Sequence, residues 1–303
     1  VQTLASREQK SRALSVLMLA HFYSIDVFLI VFLWSILIQR VVVGDGIDSG
    51  RSVVIALSVW IGYCVDRIAD GRRLKPDQLH SLRHSFYSKH GREMTCMAIS
   101  ASCVVLLWAF RNAQSYDLLA GGAMVLAAAA YLASVQIFHV RSIRYKKELA
   151  ASFLISLSVF LSSSSWLNVD LGSALRFAVV WFLFLLNCLA VAEIEKVFDQ
   201  SQGFQSWVSD RFPQRNRMVH PVVGVACATA ALTIWMLFSS VTPTGFCLSV
   251  LGSCVLVVSV WSRFRRVKEL ERKTLVKQLT IGSCLADCGL VIPPFICVLL
   301  GMP

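Results

Sequence analysis

Two aspartates, Asp66 and Asp70, stand four residues apart in "GYCVDRIADGRRL" (62–74), where a hydrophobic run closes. Glu195 and Asp199 repeat the spacing in "LLNCLAVAEIEKVFDQ" (185–200). On a helix, a spacing of four puts both carboxylates on one face, roughly 6 Å apart at Cβ. A helix C-terminus already carries partial negative charge, so each pair requires a positive partner. One such partner is a salt-bridge cluster at the membrane surface, with Arg67, Arg72, Arg73 and Lys75 at the first pair. Magnesium is the other: it binds through one or two carboxylates, keeps several waters and takes its remaining ligands from phosphate oxygens. Two acid pairs flanked by basic residues therefore have the parts to hold a diphosphate. Charge inside an apolar span marks a functional site by default; the plainer alternative for Glu193, Glu195, Lys196 and Asp199 is the wet end of a helix.

The elements that must position these acids follow from composition. Of the 303 residues 56% are hydrophobic and 16% charged, with a mean hydropathy of +0.65, which excludes an ordinary soluble domain. Apolar runs of membrane-spanning length fall at 14–43, 51–70, 93–112, 115–138, 148–167, 173–198, 218–240, 242–262 and 278–302. The fold expected is therefore all-α, a polytopic bundle of nine transmembrane helices forming one domain over 1–303. Lysine and arginine number 24 in the N-terminal segment and the loops at 71–92, 139–147, 196–217 and 263–277, against four in the alternate connections. By that bias the N-terminus is cytoplasmic and the C-terminus outside. The net charge of +11 is a topology signal and an attraction for anionic lipid or substrate, and no base-reading pattern points to nucleic acid. The ten cysteines all fall in spans without a CxxC pair and read as small apolar fillers.

The nine-helix plan, with acidic motifs at the cytoplasmic ends of the second and sixth helices, resembles the UbiA superfamily of intramembrane prenyltransferases. "GYCVDRIAD" matches the DRxxD portion of that family's NDxxDRxxD motif at Asp66, Arg67 and Asp70, with Gly62 where the family usually has Asn. Glu195 and Asp199 match its Dx3D-type motif in a weaker form, and "YKKELAASFLISLSVFLSS" (145–163) is similar to its fifth helix. The resemblance implies a magnesium-dependent enzyme of a bacterial cytoplasmic membrane, joining a prenyl diphosphate to a lipophilic acceptor, aromatic or a quinone precursor. Asp66, Asp70, Glu195 and Asp199 would hold the metal. Diphosphate ligands would be Arg73, Arg83 and Lys147, with Arg72, Lys75 and Lys146 beside them.

Asn187, Tyr63 and Asp287 are candidates for the substrate pocket, with Trp60 as a further lining residue. Asp287 and Asp26 could orient an acceptor, act as its base or serve packing alone. The segment 71–92 is expected to be a loop capping the site, amphipathic between Leu79 and Phe86, with His84 and His90 exposed on it. Two alternatives share the fold: a terpene cyclase, and a non-catalytic lipid-binding or transport protein. A CDP-alcohol phosphatidyltransferase fails on topology, since Asp45 and the Asp66–Asp70 pair fall on opposite sides of about 30 Å of hydrocarbon.

Overall fold

The computed structural model describes residues 14–44, 46–74, 80–136, 147–163, 170–201, 219–239, 241–264 and 272–302. Among them all regular structure is helical. After a lead helix over 14–22 come α1 (Ile25–Val43), α2 (Ser49–Gly71), α3 (Leu82–Asn112), α4 (Ser115–Gln136), α5 (Lys147–Leu161), α6 (Leu171–Ser201), α7 (Val219–Phe238), α8 (Thr244–Phe264) and α9 (Arg272–Leu299). Eight of these are long and apolar enough to cross a membrane, which makes the chain a polytopic helical membrane protein. The exception is α5, described over 15 residues. In hydrocarbon a spanning segment must satisfy its own backbone, so apolar runs of this length become helices. Polar caps mark their starts: Asp48 accepts from the Arg51 N–H at 2.9 Å before α2, Ser81 from the His84 N–H at 3.2 Å before α3, and Asp170 from the Ser173 N–H at 2.7 Å before α6.

The core lies among α1, α6, α8 and α9, around Trp34. Its indole meets Phe184 and Phe246 edge-on and donates from Nε1 to the Leu290 carbonyl at 3.0 Å. That carbonyl would normally receive the N–H of residue 294, which is proline. Trp34 thus satisfies the acceptor that Pro294 leaves open inside α9.

Two findings shape the site. First, a span over 93–112 behind a capping loop at 71–92 was expected, whereas α3 already starts at Leu82 and runs 31 residues. Its backbone leaves helical geometry at His90 (φ −106°, ψ 19°), so 82–89 forms a helical arm set against the membrane portion. Arg83, His84 and Tyr87 are buried on this arm, which is why it folds inward and is not a loose loop. Its approach to α2 depends on Gly71, where a Cβ would stand 3.0 Å from the Ser88 nitrogen and 3.1 Å from the Tyr87 carbonyl carbon. Lys75, Leu79 and Lys146 lie outside the described residues.

Second, α4 packs hardly at all: its one buried residue is Gln136. At its start, Asp117 pairs with Arg51 of α2 at 2.8 Å. At its end, Gln136 bonds to α2 again. Between those ends, α4 stands off the bundle and walls a cavity.

Candidate functional site

The cavity has a volume of about 890 Å³ and runs along α2 between α3, α4, α5 and α6. Asp66, Asp70 and Glu195 line it, as do Arg73, Arg83 and Lys147. So do Tyr63, Asn187 and Asp287. The structure therefore brings nine of the ten sequence-derived candidates to one space. Asp199, the tenth, lies on α6, with its side chain outside the described residues. The polar residues gather where α2, α4 and α6 end and α3 and α5 begin, because alternate helices run in opposite directions and deliver those termini to one end. Beyond them the lining is mostly apolar as far as Arg51 and Asp117, about 28 Å along α2 at helical rise.

Asp66 and Asp70 converge on a single donor. Gln136 Nε2 donates to Asp66 Oδ1 at 2.7 Å and to Asp70 Oδ1 at 3.0 Å. Arg73 in turn fixes the amide, donating from Nη1 to Gln136 Oε1 at 2.8 Å and from Nη2 to the Gln136 carbonyl. Two carboxylate oxygens aimed at one point are what a small cation needs, so this pair fits magnesium once the amide withdraws. Beside it, Arg67 Nη1 lies 3.6 Å from Asp70 Oδ2 and donates to His84 Nε2 at 3.0 Å. His84 then carries its proton on Nδ1, facing the Ser81 hydroxyl oxygen at 3.1 Å. His84, expected on an exposed loop, is 5% exposed and part of the site's frame. His90, expected exposed on a loop, is half-buried at the kink within α3 and pairs with Glu93 at 2.6 Å.

The second acidic position is arranged differently. Glu195 is buried; Arg83 Nη2 lies 3.6 Å from its Oε1, and the Ser283 hydroxyl of α9 donates to the same oxygen at 2.9 Å. Its charge is matched by protein groups, and it shares no donor with Asp66 or Asp70. Among the described residues a cation therefore finds a converging oxygen pair at Asp66–Asp70 and not at Glu195. Tyr63 presents its ring to both arginines, with the half-buried Arg67 guanidinium 4.8 Å and that of the buried Arg83 5.6 Å from the centroid, a contact that favours both cations beside the carboxylates.

Deeper in the cavity, Asn187 Nδ2 donates to Asp287 Oδ1 at 2.9 Å. Behind Asp287, His21 Nδ1 stands 3.6 Å from its Oδ2 and 2.5 Å from Asp26 Oδ2. Asp26 thus pairs with the lead helix. Trp60 does not line the cavity: it donates from Nε1 to the Tyr23 carbonyl at 2.9 Å and packs with Tyr87 and Met94.

Sequence reasoning missed Gln136, His21 and Ser283. Gln136 had a readable signal, as the lone amide closing an apolar helix just before a basic loop. His21 lay five residues before Asp26, but a single histidine at a span's edge suggests nothing until α9 brings Asp287 to it. Ser283 is one serine among many. Comparison with protein-family models, with curated proteins and with solved structures finds no match to this chain.

Proposed function

We propose that the chain is an intramembrane prenyltransferase of the UbiA type, spanning a bacterial cytoplasmic membrane nine times with its N-terminus inside and its C-terminus outside. The supporting observation is the cavity itself: acids and arginines crowd one end, and an apolar passage of about 28 Å continues from it. An amphiphile with an anionic head and a long hydrocarbon tail, such as a prenyl diphosphate, suits that polarity. Asp66 and Asp70 would hold magnesium, and magnesium would neutralise the diphosphate as it leaves.

The chain's own groups supply the rest. Arg67, Arg73 and Arg83 attract phosphate oxygens, with Lys147 at the start of α5 beside them. Tyr63 offers its ring to both Arg67 and Arg83, which line the same cavity. Apolar side chains of α2 and α4 exclude water from the allylic carbon. The isoprenoid passes to a lipophilic acceptor; capture of the cation by its own chain would make the protein a terpene cyclase on the same site.

A second reading is favoured by one observation. Gln136 occupies the Asp66–Asp70 pair, and Arg83 with Ser283 occupies Glu195, so the acids are already compensated without metal. On that ground the chain would be a non-catalytic lipid-binding or transport protein with the same architecture. Thermal unfolding in detergent separates the two, with and without geranylgeranyl diphosphate and magnesium, for wild type and Asp66→Asn. At about a hundred times its dissociation constant the ligand stabilises by roughly 2.7 kcal/mol. Prenyl transfer requires a shift that needs magnesium and disappears in Asp66→Asn; a shift indifferent to both supports the non-catalytic reading.

A further inference from the structure

The lead helix ends in a turn at which Ser24 takes a left-handed conformation (φ 56°), the only non-glycine residue to do so among those described. Ser24 is buried there, with its hydroxyl 2.9 Å from that of Tyr87. On an unbroken helix, residues five apart point about 140° away from each other; this turn instead returns His21 to Asp26 in the first turn of α1. Asp287 of α9 joins them, so that one potential ligand atom from each of the three lies within 4.8 Å of the others. All three residues are more than nine-tenths buried. The direction of each carboxyl is fixed from outside the trio: Asp26 Oδ1 accepts from the Val27 N–H at 3.0 Å, and Asp287 Oδ1 from Asn187 Nδ2 at 2.9 Å. Both Oδ2 atoms are left facing one nitrogen, His21 Nδ1, at 2.5 and 3.6 Å. Metal ligands are oriented in this way, by partners on the atoms they do not give to the ion.

A packing hydrogen bond accounts for His21 with Asp26, but not for a second carboxyl brought to the same nitrogen beyond hydrogen-bond distance. Two acids here face at most one histidine charge, and the Arg83 guanidinium, whose field reaches both acids, is already paired with Glu195. With protein groups alone, one acid has to keep its proton. A divalent cation balances two carboxylates and takes the imidazole as a neutral ligand. Around a tetrahedral ion with bonds of about 2.0–2.2 Å, adjacent ligands stand roughly 3.3 Å apart. Asp287 Oδ2 is already near that separation from Nδ1, and Asp26 Oδ2 reaches it by moving out about 0.8 Å as the ion replaces the proton between them. An imidazole nitrogen among carboxylate oxygens suits zinc and its transition-metal neighbours, whereas magnesium takes oxygen ligands.

We propose that His21, Asp26 and Asp287 bind one divalent transition-metal ion of the zinc class, at a site built from residues distinct from the Asp66–Asp70 pair. Asp287 lines the cavity, which gives the ion its way in, and three protein ligands leave a fourth position for water. Bound there, the ion ties the lead helix to α1 and α9. The assignment does not depend on prenyl transfer.

The test uses the full chain purified in detergent, stripped with a chelator and dialysed against micromolar zinc in the presence of millimolar magnesium. Wild type retains one zinc per chain by elemental analysis. His21→Gln, whose amide can still donate to Asp26, and Asp26→Asn each weaken zinc binding at least tenfold, while Asp66→Asn leaves it unchanged. X-ray absorption at the zinc edge of wild type gives a first shell of imidazole nitrogen and oxygen without sulfur, a reading that needs no variant and decides the matter if both fail to fold. No zinc retained beside excess magnesium, or undiminished binding by folded His21→Gln and Asp26→Asn, overturns the site. So does a shell containing sulfur, which puts the ion on cysteines, or loss of zinc in Asp66→Asn, which puts it on the acid pair. None of these readings involves a prenyl diphosphate, so they stand or fall apart from prenyl transfer.

Discussion

Replacing Arg83 with methionine removes the buried partner of Glu195 while keeping much of the side chain's length. Arg83 is 1% exposed and Glu195 7%, with 3.6 Å between Nη2 and Oε1. At an effective dielectric constant near 20, Coulomb's law gives about 4.6 kcal/mol at that separation. Removal of one member of a buried pair costs about 3–5 kcal/mol, because the other charge stays buried and uncompensated. Glu195 keeps the Ser283 hydroxyl, so the lower end, about 3 kcal/mol, is expected for Arg83→Met. Glu195→Gln strands Arg83 in the same way. The double variant carries no stranded charge and should lie within about 1.5 kcal/mol of wild type, since neutral replacements of buried pairs are often close to neutral in stability. Denaturant titration in mixed micelles, followed by tryptophan fluorescence, measures all four corners of this cycle. Single-variant losses under 1 kcal/mol, or a double variant that loses the sum of the two, would refute the claim that these side chains compensate one another.

Four further outcomes follow from the geometry. Gly62→Asn meets nothing within 4 Å at its Cβ and faces the cavity; the variant should fold and show tighter magnesium-dependent binding of geranylgeranyl diphosphate in a thermal-shift titration. Gly71→Ala pushes a methyl against the α3 backbone and should destabilise by about 1–3 kcal/mol in denaturant titration. Trp34→Ala empties the core and strands the Leu290 carbonyl; a loss of about 3–5 kcal/mol is expected in the same assay. At the exposed start of α6, hydrogen bonds from the Ser173 hydroxyl and backbone hold the Asp170 carboxyl below its ordinary pKa. Wild type should therefore exceed Asp170→Ala in stability at neutral pH, and the difference should vanish as pH falls through that lowered value, as melting curves at several pH values would record.

Much of this architecture was legible because apolar length is a one-dimensional property. The runs at 51–70 and 115–138 became α2 and α4 with ends close to those expected, since a hydrocarbon slab admits few other solutions. The same logic brought Asp66, Asp70 and Glu195 to one end: alternate helices return to the same side. What hydropathy could not report was the arm at 82–89. Its sequence is polar enough to read as a loop, and it is helical because Arg83 and His84 turn inward to partners on α6 and α2. Nor could spacing reveal that Gln136 would meet Asp66, 70 residues away, or that His21 would lie between Asp26 and Asp287. Such contacts depend on which helices are neighbours, and no local pattern encodes that.

The scant packing of α4 has a thermodynamic consequence. A helix that buries one glutamine adds little to the free energy of the bundle, so the rest can stand while it swings. Its fastenings at the polar end are Gln136, whose amide sits on the very oxygens that a cation would need and whose carbonyl accepts from Arg73, and Tyr131, whose hydroxyl donates to the Lys147 carbonyl at 3.4 Å. An ion that took both carboxylates would displace that amide and remove one of α4's fastenings, which would link ion occupancy to the freedom of the cavity's flank. Linkage runs in both directions: a mutation at the far hinge, Arg51 with Asp117, would raise ion affinity some 28 Å away by making the unbolted state easier to reach. The door and the lock are made of the same atoms.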